Sequence, residues 1–368
     1  MGTVAVAGKS LLTPLGDEKA TLEALFQSAS GITESASKVP LRNNRVAKLR
    51  SADEFTSYGQ LQRALALSVA TEAITEADLQ VEDAGVRFVF ATSYGHLLDQ
   101  PGSDRMSTWA KDCLRELGAQ GEPVVIGTAC SAGSDALGVG AALLQDENIS
   151  AVVVVAVDLV TEGKRLAHSN LGTMSDEIPK PFDIHRSGMI LGDGAAAAVL
   201  KRAADCANSF GELIGYGAAN DAYGVTAPDP TGESVRLAVS RALEAAQADA
   251  RDISIYYSHG TATRLNDELE ASVVNDVFGC NEELFLYGSK GSLGHSLGAC
   301  GLIEFLLLIK FLELQEIPEV VGHDDPIPAI AHRMPAKNKS RIQGNLGVSA
   351  TLGFGGFNTA LIARRGNK

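Results

Sequence analysis

The chain has 368 residues, 45% hydrophobic and 21% charged, enough for a large buried core. Its 45 acidic residues outnumber 31 basic ones for a formal net charge of −14, which argues against a nucleic-acid binder with a broad basic face. Aromatic residues at 5% do not favour base- or sugar-stacking platforms, and five cysteines with no CxxC argue against a disulfide framework or zinc ribbon and for a reducing, cytoplasmic setting.

The N-terminal "MGTVAVAGKS" has no charged n-region and leads straight into a strand, so it does not read as a signal peptide. Its "GKS" is not a phosphate-binding loop, because the required upstream position holds Thr3. Residues 38–50, "KVPLRNNRVAKLR", are the one basic run of note, either a solvated loop or a docking surface. Residues 61–92 read as an amphipathic helix, an acidic linker and an apolar strand. An apolar run at 123–126 then enters "GTACSAGSDALGVGAALL" (127–144): strand, tight turn, and a helix of small residues. Cys130 sits at that junction, where the free N–H groups and dipole of a helix N-terminus favour a thiolate and a lowered pKa. Taken alone, Cys130 also fits a small buried hydrophobe. The longest uninterrupted apolar run, "AVVVVAV" (151–157), is far too short to span a membrane. Residues 162–187, containing "IPKPFDIHR", are too irregular for the core and read as a cap or active-site loop.

The second part of the chain repeats the first. Residues 235–261 restate the helix, linker and strand of 61–92; "YGSKGSLGHSLGACGLIEFLLLIKFL" (287–312) restates the strand, glycine turn and buried helix around Cys130. "GMILGDGAAAAVLKR" (188–202) and "GFGGFNTALIARR" (353–365) both read as a Gly-rich turn into a strand with a basic end. This predicts a duplicated α/β core with halves 1–205 and 206–368, whose central helices, apolar nearly all round, lie between two sheets.

Each half offers chemistry at the start of its central helix: Cys130 in the first, Lys290 and His295 in the second. His259, in "SHGTAT", follows the strand "ISIYY" at the strand end where α/β folds place ligands. A thiol with two imidazoles makes a nucleophile with two proton or charge handlers. The loop "GFGGFN" (353–358) supplies backbone N–H groups suited to an oxyanion hole. "GVGAAL" lacks the third glycine of a dinucleotide fingerprint, "ACSAG" is not GxSxG, and no spacing of carboxylates or histidines suggests a metal.

These motifs, in order from "TPLG" (13–16) through "TACSAG", "KPFDIHRSGMILGDGAA", "HGTAT" and "SKGSLGHSLGACG" to "GFGGFN", give a chain that resembles the β-ketoacyl-acyl carrier protein synthases of the elongating, Cys-His-His type. The resemblance implies a thiolase-like duplicated α/β unit forming a five-layer αβαβα sandwich, and decarboxylative condensation of an acyl thioester with malonyl-carrier protein in fatty acid or type II polyketide synthesis. It implies Cys130 as nucleophile, His259 and His295 as decarboxylation and enolate-stabilising groups, and Lys290 with Glu304 as their electrostatic support. It further implies the N–H groups of Cys130 and Phe354 as oxyanion hole and the Phe354 ring as gate. Thr261 and Thr263 would contact the phosphopantetheine arm, and Arg186 would meet the acyl carrier protein. No resident cofactor is implied, since the carrier protein brings the phosphopantetheine. The implied assembly is a homodimer, or a heterodimer with a paralogous subunit. Alternatives are a chain-length-factor-like partner subunit and a CoA-dependent acyltransferase of the same fold. The stretch between Tyr94 and Cys130 is shorter than the family usually has, which bears on the acyl pocket.

Overall fold

The computed structural model describes residues 2–49, 55, 57–99 and 106–368. The first half supplies strands β1 (Val4–Thr13), β2 (Val86–Ala91), β3 (Val124–Ile126), β4 (Ala151–Asp158) and β5 (Gly194–Arg202) to the main sheet. The second half supplies β6 (Gly211–Asn220), β7 (Ile253–Tyr257), β8 (Phe285–Tyr287), β9 (Leu346–Gly353) and β10 (Phe357–Arg365). Their spatial orders are β3-β2-β4-β5-β1 and β8-β7-β9-β10-β6, one arrangement used twice. The senses repeat as well: β2 is parallel to β3 and β4 as β7 is to β8 and β9, and β5 and β10 each run antiparallel to both neighbours. β1 and β6 pair antiparallel through Val4–Val6 and Gly211–Leu213, which joins the two sheets along one edge.

Helix α1 (Tyr58–Glu76) covers the outer face of the first sheet over β1, β4 and β5. Between the sheets lie α2 (Ala132–Leu143), against β2, β4 and β10, and a helix of 15 residues, Cys300–Leu314, against β5, β9 and β10. Helix Glu233–Ala246 covers the outer face of the second sheet over β6 and β10. The result is the five-layer thiolase-like sandwich that the repeats and the resemblance predict.

Burial on two sides explains the sequence of the middle layers. All eight residues of β4, "AVVVVAVD", are buried, as in strands covered on both faces. Helix Cys300–Leu314 buries Cys300 through Ile309 without a polar stripe, and each fully buried Leu, Ile or Phe contributes about 1.5–3 kcal/mol. The two central helices cross at their first turns. There a Cβ on Gly133 would lie 2.8 Å from the Leu302 nitrogen, and one on Gly301 would lie 2.1 Å from Ser134 Oγ, so both positions need glycine.

The segment read as an irregular cap is partly helical: α3 here denotes Glu162–Asn170, capped by Thr161, whose hydroxyl accepts from Lys164 N. Irregularity begins after it. That part is latched down by Asp183, which accepts from Asp324 N (2.8 Å) and Asp325 N (2.6 Å). The basic run lies over this cap, with Arg42 ion-paired to Asp176 at 3.3 Å; Arg50 lies outside the described residues. Of the short stretch before Cys130, residues 100–105 also lie outside them. Among the described residues no helix is long and apolar enough to cross a membrane.

Candidate active site

β3 ends at Ile126, and a turn with Ala129 at φ 50° brings Cys130 to the mouth of α2. Left-handed geometry at alanine costs about 1–2 kcal/mol and must be held by its surroundings. Asp135, one turn into α2, does so. It accepts from Ser131 Oγ (2.8 Å), from the Thr128 hydroxyl, and from Tyr216 OH (2.8 Å) across the boundary between halves. Neither Asp135 nor Tyr216 carries a signal in the sequence beyond falling in apolar elements.

The second half makes the same strand–turn–helix connection with extra residues, "KGSLGH" (290–295), and these carry Lys290 and His295. His295 Nε2 lies 3.2 Å from Cys130 Sγ, and its Nδ1 accepts the Leu297 N–H at 3.2 Å. A ring nitrogen that accepts cannot carry the proton, so neutral His295 bears its hydrogen on Nε2 and donates toward the sulfur. The His259 ring stands edge-to-face beside it, centroids 5.0 Å apart at 84°, with a buried Nδ1 that has no hydrogen-bond partner among the described residues. Lys290 donates to the His259 carbonyl and to Glu304 Oε1, the latter at 2.7 Å.

Two carboxylates that sequence reading missed hold the His259 loop. Glu270 accepts from His259 N (2.8 Å) and Gly260 N (2.7 Å); Asp267 accepts from Phe182 N (2.8 Å) and Ala262 N (3.1 Å). Both sit on helix Arg264–Phe278, three residues apart and so on one face. That i, i+3 spacing just after "HGTAT" is the signal that could have found them.

The thiol corrects the expectation of a lowered pKa. Burial pushes Cys130 up to about 11, outweighing the Phe354 N–H and the Lys290 charge that pull it down. Alkylation of Cys130 by iodoacetamide, followed by peptide mass, should therefore accelerate about tenfold per pH unit from 7 to 10, because only the thiolate reacts. A plateau by pH 8 would contradict this. Burial first, then the Lys290 charge, hold both His259 and His295 well below the ordinary histidine range. Cys130, His259 and His295 offer ligand atoms within 4.8 Å of one another, a spacing a metal ion could bridge, but the buried Lys290 ammonium beside them opposes a divalent cation.

Glu304 keeps Lys290 charged despite burial, with both side chains at most 3% exposed. Glu304→Ala would strand that ammonium and should cost about 3–5 kcal/mol of stability, read by denaturant unfolding. A loss below about 1 kcal/mol would contradict the pairing's structural role.

These groups floor a cavity of 370 Å³, walled by Thr261, Thr263 and the Phe354 loop. Thr261 and Thr263 share a hydrogen bond at 2.9 Å, and the Phe354 ring stacks on His168, a residue the sequence reading did not single out, at 5.8 Å. Arg186 is a correction. It is 5% exposed and spends its guanidinium on Glu268 (2.8 Å) and the Asp183 and Arg264 carbonyls, so it presents no charge to a docking partner. An exposed cation at the cavity mouth is Arg264, which lines it with Leu171 and Leu265, 50% and 59% exposed.

The family model for the beta-ketoacyl synthase N-terminal domain matches residues 1–206, and that for the beta-ketoacyl synthase C-terminal domain matches residues 210–324. A 3-oxoacyl-[acyl-carrier-protein] synthase 2 of Staphylococcus aureus (strain N315) is 26% identical over 413 aligned positions, covering 98% of each chain. A putative mitochondrial 3-oxoacyl-[acyl-carrier-protein] synthase of Schizosaccharomyces pombe is 30% identical over 65% of this chain and 60% of its own. In fold the chain is similar to the crystal structure of a beta-ketoacyl synthase from Burkholderia phymatum STM815, with TM-score 0.86, 22% identity, and 99% and 100% of the two chains covered. It is similar also to the ishigamide ketosynthase/chain length factor, with TM-score 0.87, 21% identity and 99% of each chain covered.

Proposed function

The chain belongs to the β-ketoacyl synthase family, an acyl-transferring condensing enzyme, and we propose that Cys130, His259 and His295 carry its chemistry. The Cys130 thiol attacks the carbonyl of an acyl thioester on a carrier protein. A new carbon–sulfur bond forms, the old one breaks, and the carrier's thiol leaves with the proton. Malonyl-carrier protein then enters. Its bond to the carboxylate breaks, carbon dioxide departs, and the electron pair becomes an enolate whose oxygen accepts a hydrogen bond from the His295 Nε2–H, with His259 beside it. The enolate carbon attacks the acyl-Cys130 carbonyl, and the resulting oxyanion is held by the N–H groups of Cys130 and Phe354. Collapse expels the Cys130 sulfur as a thiolate, which takes a proton from solvent to restore the thiol, and releases β-ketoacyl-carrier protein.

The observation that carries this reading is the His295 ring, tied at Nδ1 by Leu297 so that a fixed Nε2–H meets the nucleophile at 3.2 Å. A chain-length-factor-like subunit would have no use for that arrangement. In this reading no metal or resident cofactor takes part, because the carrier protein delivers the phosphopantetheine thiol. Thr261 and Thr263 hydrogen-bond that arm, and Arg264 with Leu171 and Leu265 forms the docking collar, a local cation on a surface of net charge −14. We place the reaction in the cytoplasm, whose reducing pool keeps the five unpaired cysteines as thiols. A second copy pairs with β3, the last strand of the sheet, where Val124 is 37% exposed; a monomer by sedimentation at micromolar concentration would contradict that.

The test is incubation with acyl- and malonyl-carrier protein. The expected product is a β-ketoacyl-carrier protein two carbons longer, with equimolar carbon dioxide. Acyl transfer to coenzyme A without carbon dioxide would instead identify an acyltransferase.

A further inference from the structure

The duplication places a second copy of the nucleophile turn in the molecule. Thr128-Ala129-Cys130-Ser131-Ala132-Gly133 has its counterpart in Ser296-Leu297-Gly298-Ala299-Cys300-Gly301. Both contain a tight 3₁₀ turn feeding a central helix, and Ala129 and Leu297 share the left-handed φ, 50° and 48°. Gly298 therefore stands where Cys130 stands. β4 and β9 correspond likewise, each eight residues long and ending at Asp158 and Gly353, so Leu159 stands where Phe354 stands.

The counterparts of the two oxyanion-hole N–H groups are both taken by one carboxylate. Asp158 Oδ2 accepts from Gly298 N at 2.9 Å and from Ser93 N at 2.6 Å. Its Oδ1 accepts from Leu159 N at 3.1 Å and from the Lys164 ammonium. Asp158 is completely buried. The fold thus keeps a second cradle of the same N–H geometry, filled by the Asp158 carboxylate.

This cradle adjoins the turn that holds the catalytic imidazole. Leu297, whose N–H fixes the His295 tautomer, immediately precedes Gly298, whose N–H Asp158 holds. Glycine is required at 298, since a Cβ would lie 2.3 Å from Ser93 N and 2.9 Å from Asp158 Oδ2. We propose that Asp158 is the positioning residue for His295: seated in the second cradle, it holds the 296–298 turn so that the Leu297 N–H keeps the His295 proton on Nε2, facing Cys130. Asp158 touches no reacting atom. Lys164, hydrogen-bonded to Oδ1, sets an opposite charge against the buried carboxylate.

The test uses Asp158→Asn, which sets an amide donor among groups that all donate, and the pair Asp158→Asn/Lys164→Met, which also removes the buried cation and protects folding. Protein labelled with ¹⁵N in its imidazoles reports the tautomer, with the His295 signal assigned by its loss in His295→Gln. In the folded variant, His295 should leave the pure Nε2–H form. Malonyl-carrier protein decarboxylation should fall about tenfold or more, while acyl transfer to Cys130 falls less than about threefold. An unchanged tautomer, or equal loss in both half-reactions in proportion to unfolded protein, would overturn the proposal. The kinetic arm rests on the function proposed above, but the tautomer does not. A wild type inert in both half-reactions would count against that function, and the labelled imidazole would still decide the role of Asp158.

Discussion

Cys130→Ala is expected to remove β-ketoacyl product to background, a loss on the order of 10⁴-fold or more, since losing a nucleophile abolishes the covalent route while binding remains. The side chain is 5% exposed and small, so alanine leaves little cavity, and the thermal midpoint should move by only a few degrees. The variant is thus a clean probe of chemistry. Condensation assayed with acyl- and malonyl-carrier protein checks it. Product at more than about a hundredth of the wild-type rate would mean that the acyl group travels by another route.

His295→Ala should be nearly as severe for the second half-reaction. A positioned donor on a developing oxyanion in a water-poor site is worth about 3–4 kcal/mol, so malonyl-carrier protein decarboxylation should fall about 10²–10³-fold. Carbon dioxide release checks this, and its pH dependence checks the protonation state. Both imidazoles have pKa values pushed well below 6.5, mainly by burial and then by the Lys290 charge. Lowering the pH from 8 to 6 therefore does not charge them, and decarboxylation should stay level across that interval. A midpoint near 6.5 would show an exposed histidine in control. The same shifts have a stability consequence. An unfolded chain takes up protons below about 6.5 that these buried rings refuse, so the stability their neutral forms contribute is present above that pH and is lost on acidification.

Much of this was legible in the chain. The duplication shows because helix, linker, strand and glycine turn recur in one order, and the apolar middle helices admit only a position between two sheets. Cys130, His259, Lys290 and His295 show because they sit in glycine-flanked turns at strand ends, where side chains converge. What escaped depends on direction and burial, which one sequence does not carry. Asp158 reads as the polar stop of an apolar strand, and its cradle exists only once β4 meets the Gly298 turn from the other half. Arg186 reads as a free cation, but Glu268 and two carbonyls consume it. The direction of the Cys130 pKa is hidden from the sequence for the same reason. A helix N-terminus predicts a lowered value, and full burial reverses the sign.

The most direct measurement is intact mass after incubation with a panel of acyl-carrier proteins, wild type beside Cys130→Ala. The account predicts a wild-type adduct equal to the acyl group, discharged on adding malonyl-carrier protein and missing from the variant. An adduct that persists in Cys130→Ala, or none from any donor in the wild type, would contradict it.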